Sequence, residues 1–198
     1  KLEINKIRGK IMELLLFEKW SMQDVEVADM GLERYVNLKP ILFPHSSGRH
    51  SAQRFKKLDV NIVERFVNKL MRPGNNTGKK TLIMNSMDAA FQLINLKTNQ
   101  NPIQVLVDAV INAAPREETT RVSFGGVANH QAVDVAPLRR VDLALRFLTE
   151  GIRGSTFSTV KSLTEVIADE LIAAARNETS SAGVRKKQEL ERIAYAAR

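Results

Sequence analysis

Apolar residues recur every three or four positions through most of the chain after residue 59, the spacing that places side chains on one face of an α-helix. The first such segment spans residues 60–71, and its apolar face is Ile62, Val63, Phe66, Val67 and Leu70. We expect Asp59 to cap this helix, because a short acidic side chain accepts hydrogen bonds from the free N–H groups of the first turn. Pro73-Gly74 is expected to end it.

Two further helices are predicted in the middle of the chain. One begins near Lys80, and its helically spaced apolar residues are Ile83, Met87, Ala90, Phe91 and Ile94. The other covers residues 103–114, where Asn101-Pro102 supplies an N-cap and a first-turn proline, and it stops at Pro115.

The pattern continues into the C-terminal third. Pro137 opens a helix over residues 138–151, with Gly151 as its C-cap. Its inward-facing residues are Val141, Leu145 and Leu148. Ser158 or Thr159 is expected to cap residues 160–176, whose apolar stripe is Leu163, Val166, Ile167, Leu171 and Ala174. A last, basic helix covers residues 184–197, so the fold is mainly α with about six helices.

One segment departs from helical spacing. Residues 119–135 contain two β-branched runs on either side of Gly125-Gly126, with Val122 and Phe124 in the first and Val133 and Val135 in the second. This pattern predicts a β-hairpin between two helices. Because a two-stranded ribbon is marginally stable in water, it should lean on the helices or project towards a partner.

Residues 1–47 are predicted to form an N-terminal arm, and residues 48–198 the main domain. Pro40 and Pro44 prevent regular structure in the second half of the arm. The segment around Ile11, Leu14, Leu15 and Phe17 predicts a short helix in the first half. The chain has no cysteine and no run of 18 apolar residues, so we expect no disulfide, no membrane span and a cytoplasmic protein.

The positive charge is concentrated in residues 48–80. This segment has nine Lys or Arg against Asp59 and Glu64, which gives +7 of the formal net charge of +8. Residues 1–47 balance at seven basic and seven acidic side chains. A local field of this sign attracts polyanions, and nucleic acid is the commonest such partner for a domain with a pI near 9.9.

The sequence gives little support to catalysis, a cofactor or a metal. The loop at residues 74–81 has three residues between its glycines and a second lysine before Thr81, so it lacks the spacing of a nucleotide-binding P-loop. Its two lysines at the start of a helix suit a nucleic-acid phosphate better. The three histidines, at positions 45, 50 and 130, are not spaced as metal ligands. The chain is therefore expected to be neither an enzyme nor a protein with a small-molecule substrate.

Arginines also surround the hairpin. Arg116 and Arg121 lie near its start, and Arg139 and Arg140 follow its end. Arg139, Arg146 and Arg153 are seven residues apart and share one helix face. This stripe is either a solvated face paired with Asp142 or Glu150, or a surface for RNA, because guanidinium groups bind phosphate and stack on bases. A further basic patch in the last helix includes Arg185, Lys186 and Lys187.

Several motifs together resemble one ribosomal protein family. They are PHSSGRHSAQRFKK (44–57), IVERFVNKLM (62–71), GKK (78–80), NPIQVLVDAVINAAPREETTRV (101–122), QAVDVAPLRRVDLALRFLTEG (131–151) and ADELIAAA (168–175). The chain resembles the small-subunit protein that organises the head of the particle, called protein seven in bacteria and protein five in eukaryotes. The sequence of residues 44–57 is more similar to the archaeal and eukaryotic members of this family than to the bacterial ones.

The resemblance implies a non-enzymatic RNA binder, built as a helical bundle with an extruded β-hairpin. It implies binding to the 3′ major domain of small-subunit rRNA early in head assembly, contacts with neighbouring ribosomal proteins, and a hairpin and last helix near messenger RNA and the transfer RNA of the exit (E) site. The residues expected to bind RNA are Arg49, His50, Arg54, Lys56, Lys57, Arg72, Lys79, Lys80, Arg116, Arg121, Arg139, Arg140, Arg146, Arg153, Arg185, Lys186 and Lys187.

The hairpin tip expected at the E site consists of Phe124, Gly125, Gly126, Val127, Asn129 and His130. Members of the family usually carry further arginines here, whereas this chain has no Lys or Arg between residues 122 and 138. Phe124 would then stack on a base or pack across the ribbon. Two other functions fit parts of the sequence: a helix-turn-helix DNA-binding regulator, which would bind duplex DNA as a dimer, and a nucleotide-dependent enzyme using residues 74–81.

Overall fold

The computed structural model describes residues 14–71, 74–125 and 127–198. Within these residues the chain forms six α-helices and one antiparallel β-hairpin, which confirms the predicted fold class. The elements are α1 (Ile62–Leu70), α2 (Lys80–Thr98), α3 (Pro102–Ala113), β1 (Glu117–Phe124), β2 (Val127–Asp134), α4 (Pro137–Thr156), α5 (Leu163–Ala175) and α6 (Ala182–Ala196).

Helix α3 lies at the centre of the bundle. It packs against α5, α4, α2 and α6, and eight of its twelve residues are buried. Asn101 caps it as predicted, accepting a hydrogen bond from the Ile103 N–H at 3.0 Å. The predicted apolar faces of α1 and α2 are also confirmed, since all ten residues assigned to these two faces are at most 4% exposed.

The cap of α1 is Asn61, and the prediction of Asp59 was wrong. The Asn61 side-chain oxygen accepts from the Val63 N–H at 2.9 Å, and its Nδ2 donates to the carbonyl of Lys39 at 2.9 Å. Asp59 instead ends a short 3₁₀ turn, Lys56–Asp59. An amide serves both purposes because it donates and accepts, so one residue caps the helix and holds the arm.

Gly151 does not end a helix, contrary to the prediction. Helix α4 continues for five residues beyond it, and a Cβ placed on Gly151 would lie 2.5 Å from the Cβ of Ala182 in α6. The glycine therefore permits the close approach of α4 and α6 rather than a left-handed C-cap.

The N-cap of α5 is Ser162, not Ser158 or Thr159. Its hydroxyl accepts from the Glu165 N–H at 3.3 Å, and the Glu165 carboxylate accepts from the Ser162 N–H at 3.1 Å. This reciprocal capping box satisfies two N–H groups at the helix start.

The hairpin leans on α6 at its base and extends from the bundle at its tip. The strands pair in register from Glu117 opposite Asp134 to Phe124 opposite Val127. The backbone N–H of Arg116 donates to Glu191 of α6 at 2.9 Å, and Arg198 pairs with Glu117. In contrast, residues 120–123 and 129–131 are all exposed.

The described part of the arm contributes to the same core. Leu16, Phe17, Met22, Leu32 and Val36 are buried within the hydrophobic cluster formed by the helices. The predicted helix is absent from its described half, where Leu16 bridges to Trp20 across a tight turn; Ile11 lies outside the described residues. The division at residues 47 and 48 stays a prediction.

Candidate nucleic-acid interface

The basic segment consists of two loops on either side of α1. The first loop, residues 48–59, contains two 3₁₀ turns, His50–Ala52 and Lys56–Asp59. The second, residues 74–79, turns at Gly74 and Gly78, whose positive φ angles of 61° and 77° favour glycine. Arg72 and Pro73 lie outside the described residues.

Two of the predicted phosphate ligands in the basic segment are already paired with carboxylates of the protein. The first is Lys80, which donates to Glu64 at 2.8 Å and has a side chain that is 17% exposed. Glu64 also accepts from the N–H and the hydroxyl of Ser46, each at 3.0 Å. Burial alone would raise the pKa of Glu64, but the hydrogen bonds and charge of Lys80 together with those from Ser46 lower it below its usual value. Lys80 thereby joins α2 to α1, and Glu64 also holds Ser46, which lies just before the first loop.

Asp142 of α4 forms a second internal ion-pair centre. It pairs with Lys57 and, at 3.0 Å, with Arg65, which is 7% exposed and also donates to the carbonyl of Tyr35. Burial opposes ionisation of Asp142, but hydrogen bonds and charge from Lys57 and Arg65 lower its pKa overall. These contacts tie the first loop and α1 to α4.

Four of the five exposed cations of the two loops lack the internal ion pair that Lys57 makes. They are Arg49, Arg54, Lys56 and Lys79, and none of them is joined to a carboxylate in the part of the chain that the structure describes. We call this set the α1-flanking cations. His50 behaves differently: its Nε2 lies 2.9 Å from the Ser46 hydroxyl, and its Nδ1 is buried without a hydrogen-bond partner among the described residues. The exposed charge of the segment is therefore smaller than its sequence count.

Three further predicted residues meet in a depression at the hairpin base. Arg116, Arg140 and Lys187 line a cavity of about 310 Å³ together with Asp29 and Asn112. Arg140 pairs with Asp29 at 2.9 Å, whereas neither Arg116 nor Lys187 forms an ion pair among the described residues. Burial would raise the pKa of Asp29, but hydrogen bonds from Arg140 and Gly31 and the charges of Arg140 and Arg116 lower it. Three cations thus face one carboxylate, and the depression is electropositive.

The arginine stripe of α4 divides between internal and external contacts. Arg139 holds Glu118 of β1 with two hydrogen bonds, at 2.6 and 2.8 Å, and so braces the hairpin. Arg146 pairs with Glu150 on the same exposed face, as the solvated-face alternative expected. Arg153 approaches the second loop, because a Cβ on Gly74 would lie 3.2 Å from its Nη2.

The remaining predicted residues lie on α6 and at the hairpin tip. Lys186 pairs with Glu189 at 2.7 Å, and Arg185 lines a groove with that pair. Arg121 and His130 are opposite each other across the strands, and both are exposed. Gly125 turns the chain with φ 58°, and Asn129 is exposed, while Gly126 lies outside the described residues. Phe124 and Val127 are the last paired residues of the two strands.

Sequence reasoning missed the carboxylates that pair with cations of the basic segment and of the hairpin base. Glu64 was counted only as diluting charge, and Asp29 and Asp142 lie far from it in sequence. No local spacing signals these pairs, since they join residues 16 to 111 positions apart. Phe55 was also missed, although an aromatic residue between Arg54 and Lys56 is a visible signal.

A family model described as ribosomal protein S7p/S5e matches residues 32–198. The chain belongs to this family. A small ribosomal subunit protein uS7 of Archaeoglobus fulgidus is 51% identical over 186 residues, covering 94% of this chain and 96% of the relative. A protein of the same name from Cenarchaeum symbiosum is 49% identical and covers 96% of this chain and 100% of the relative.

Membership in the S7p/S5e family confirms the resemblance. Both relatives are archaeal, which agrees with the archaeal or eukaryotic character of the sequence at residues 44–57. The family is a structural class of ribosomal protein, for which RNA binding is expected. Family membership therefore favours an RNA partner over the two alternatives, a DNA-binding regulator and a nucleotide-dependent enzyme. In the described residues, no cluster of His, Asp or Glu is arranged to hold a metal ion. Nor is any described helix long and apolar enough to cross a membrane.

Proposed function

We propose that the protein is a structural component of the small ribosomal subunit that binds the 3′ major domain of the subunit's rRNA and helps to begin assembly of the head. The α1-flanking cations carry this proposal. They are exposed, while the nearby carboxylates Glu64 and Asp142 are already neutralised by Lys80, Lys57 and Arg65. Cations without an internal carboxylate partner are those that can release counterions from RNA phosphates at the least cost.

The depression at the hairpin base provides a second contact. Arg116 and Lys187 would hold one rRNA phosphate there, with Arg140 fixed in position by Asp29. Because Arg139 braces β1 on α4, a contact at this point would also orient the hairpin relative to the RNA.

The hairpin tip would then lie near messenger RNA and the E-site transfer RNA, with Arg121 and His130 as its polar contacts. The extension of residues 120–123 and 129–131 away from the bundle supports this role. The absence of Lys and Arg between residues 122 and 138 limits the tip to weak, shape-based contact. The same assignment implies contacts with neighbouring proteins of the head and a cytoplasmic location.

A competition assay tests the proposal against a DNA-binding function. The protein is bound to a labelled 3′ major domain fragment of small-subunit rRNA, and unlabelled competitors of equal phosphate number are added. We expect the same fragment to displace the label at much lower concentration than a 5′-domain rRNA fragment or duplex DNA. Equal displacement by duplex DNA would contradict it.

A further inference from the structure

Phe55 is an exposed aromatic residue next to two of the α1-flanking cations. It is 54% exposed and lies between Arg54 and Lys56 in sequence. Its backbone is left-handed, with φ 64°. A bulky residue in this region is a genuine outlier under strain, and such residues cluster at functional sites.

Core packing does not account for this conformation. Phe17, the other aromatic residue with a positive φ in the described chain, is 8% exposed and packs edge-to-face on Phe91. The hydrophobic core therefore explains the backbone of Phe17. Phe55 has no comparable burial, so its ring is presented to solvent at a conformational cost.

The turn that carries Phe55 is fixed from two sides. The Leu58 N–H donates to the Phe55 carbonyl at 2.9 Å, which closes the turn. Lys57 pairs with Asp142 of α4, and the Asn37 side chain donates to the Asp59 carbonyl at 2.6 Å. The backbone that carries the ring is thus held in position before any partner arrives.

Positive charge lies beside the ring. The Arg54 guanidinium carbon lies 4.8 Å from the ring centroid, within cation–π range. Neither Arg54 nor Lys56 is paired with a carboxylate in the described residues. A partner here must therefore offer both a flat apolar face and negative charge.

We propose that Phe55 is a stacking platform for an unpaired nucleobase of the rRNA, with Arg54 and Lys56 holding the adjoining phosphates. An RNA strand supplies both features at the spacing of one nucleotide, and single-stranded RNA is commonly recognised by stacking on aromatic and guanidinium planes. This inference rests on the proposed function, and it adds a ligand class, the unstacked base, to a surface otherwise assigned to phosphates.

The test uses the full chain with two RNA probes of equal charge: an oligouridylate of about 12 nucleotides and an abasic strand of the same length. Phe55→Leu removes the ring and keeps a side chain with the same left-handed backbone penalty. We expect it to weaken binding of the oligouridylate about 5- to 150-fold, the equivalent of 1–3 kcal/mol per stacked base, and to leave the abasic strand unaffected. Phe55→Tyr should bind both probes as the parent does.

Phe43→Leu is the matched control, because Phe43 is 51% exposed but has no cation on its ring among the described residues and none beside it in sequence. It should leave both affinities unchanged. If Phe55→Leu leaves the affinity for both probes unchanged, or lowers both affinities equally, the inference is wrong while RNA binding itself stands. Unchanged RNA binding with poor incorporation into small subunits would show that Phe55 contacts a protein, which also overturns it. If the parent binds neither probe, the inference fails, whereas the rRNA-binding function is decided separately by the 3′ major domain fragment.

Discussion

At the residue scale, the structure separates cations that stabilise the fold from those available to a partner. Lys79 and Lys80 are adjacent in sequence but differ in this respect. Lys80 is largely buried against Glu64, whereas Lys79 is exposed at the start of α2. Breaking a buried pair leaves the other charge uncompensated, which costs more than removing an exposed charge.

The two lysines therefore form a matched pair of variants. We expect Lys80→Gln to lower the free energy of unfolding by about 1–3 kcal/mol, because Glu64 loses its charged partner. Lys79→Gln should change it by less than about 0.5 kcal/mol and should weaken RNA binding instead. Urea unfolding followed by circular dichroism measures the first effect. Equal stability of the two variants would contradict the internal role of Lys80.

The lowered pKa of Glu64 predicts a dependence on pH. A carboxyl group whose pKa is lower in the folded state stabilises the fold at pH values above 4.5, the ordinary pKa of this group. This contribution is lost as the pH falls through the folded-state pKa. The stability difference between the parent and Glu64→Gln should thus be full at neutral pH and shrink on acidification. Urea unfolding at several pH values checks this. A difference that grew at low pH would contradict the assigned direction.

At the element scale, apolar spacing predicted the helices and the hairpin well, because burial of one face sets the spacing of apolar residues in a helix and in a strand. Helix ends were predicted less well. Asn61 was preferred over Asp59 as a cap because it also holds the arm through Lys39, a contact between distant residues that local spacing does not reveal. The cap at Ser162 was available from sequence, since Ser162 and Glu165 have the spacing of a capping box.

Gly151 shows how a tertiary contact changes the meaning of a residue. Gly151→Ala gains helix propensity but places a methyl group against Ala182, so we expect a net loss of stability of about 1–3 kcal/mol. Gly154 lies in the same helix, and a Cβ added to it would have no described atom of a neighbouring element within 4 Å, so Gly154→Ala should gain about 0.5–1 kcal/mol. Thermal unfolding of both variants provides the comparison. Stabilisation by both substitutions would mean that α4 and α6 are not in close contact.

At the scale of the whole molecule, the sequence predicted the basic surface but overestimated its free charge. Clustering of lysine and arginine in residues 48–80 was visible, and the two loops do flank α1. The pairing of Lys57 and Lys80 with Asp142 and Glu64 could not be predicted, because it depends on how α1, α2 and α4 pack. The depression of Arg116, Arg140 and Lys187 likewise exists only in the folded chain.

The α1-flanking cations can be tested by a charge-matched comparison. One variant replaces Arg49, Arg54, Lys56 and Lys79 with Gln. The control replaces four exposed cations that the structure pairs with carboxylates elsewhere: Lys19, Lys97, Lys161 and Arg176. Both lose the same formal charge, so they differ in where it is removed and in whether the removed cation has a carboxylate partner. Circular dichroism establishes that both remain folded.

The deciding measurement is the salt dependence of binding to the 3′ major domain rRNA fragment. Each phosphate contact contributes roughly 0.7–0.9 to the slope of log affinity against log salt. We predict that the α1-flanking variant has a slope shallower by about 3–4 and a much lower affinity at low salt, whereas the control stays close to the parent. Equal slopes for both variants would show that the RNA binds another face of the protein.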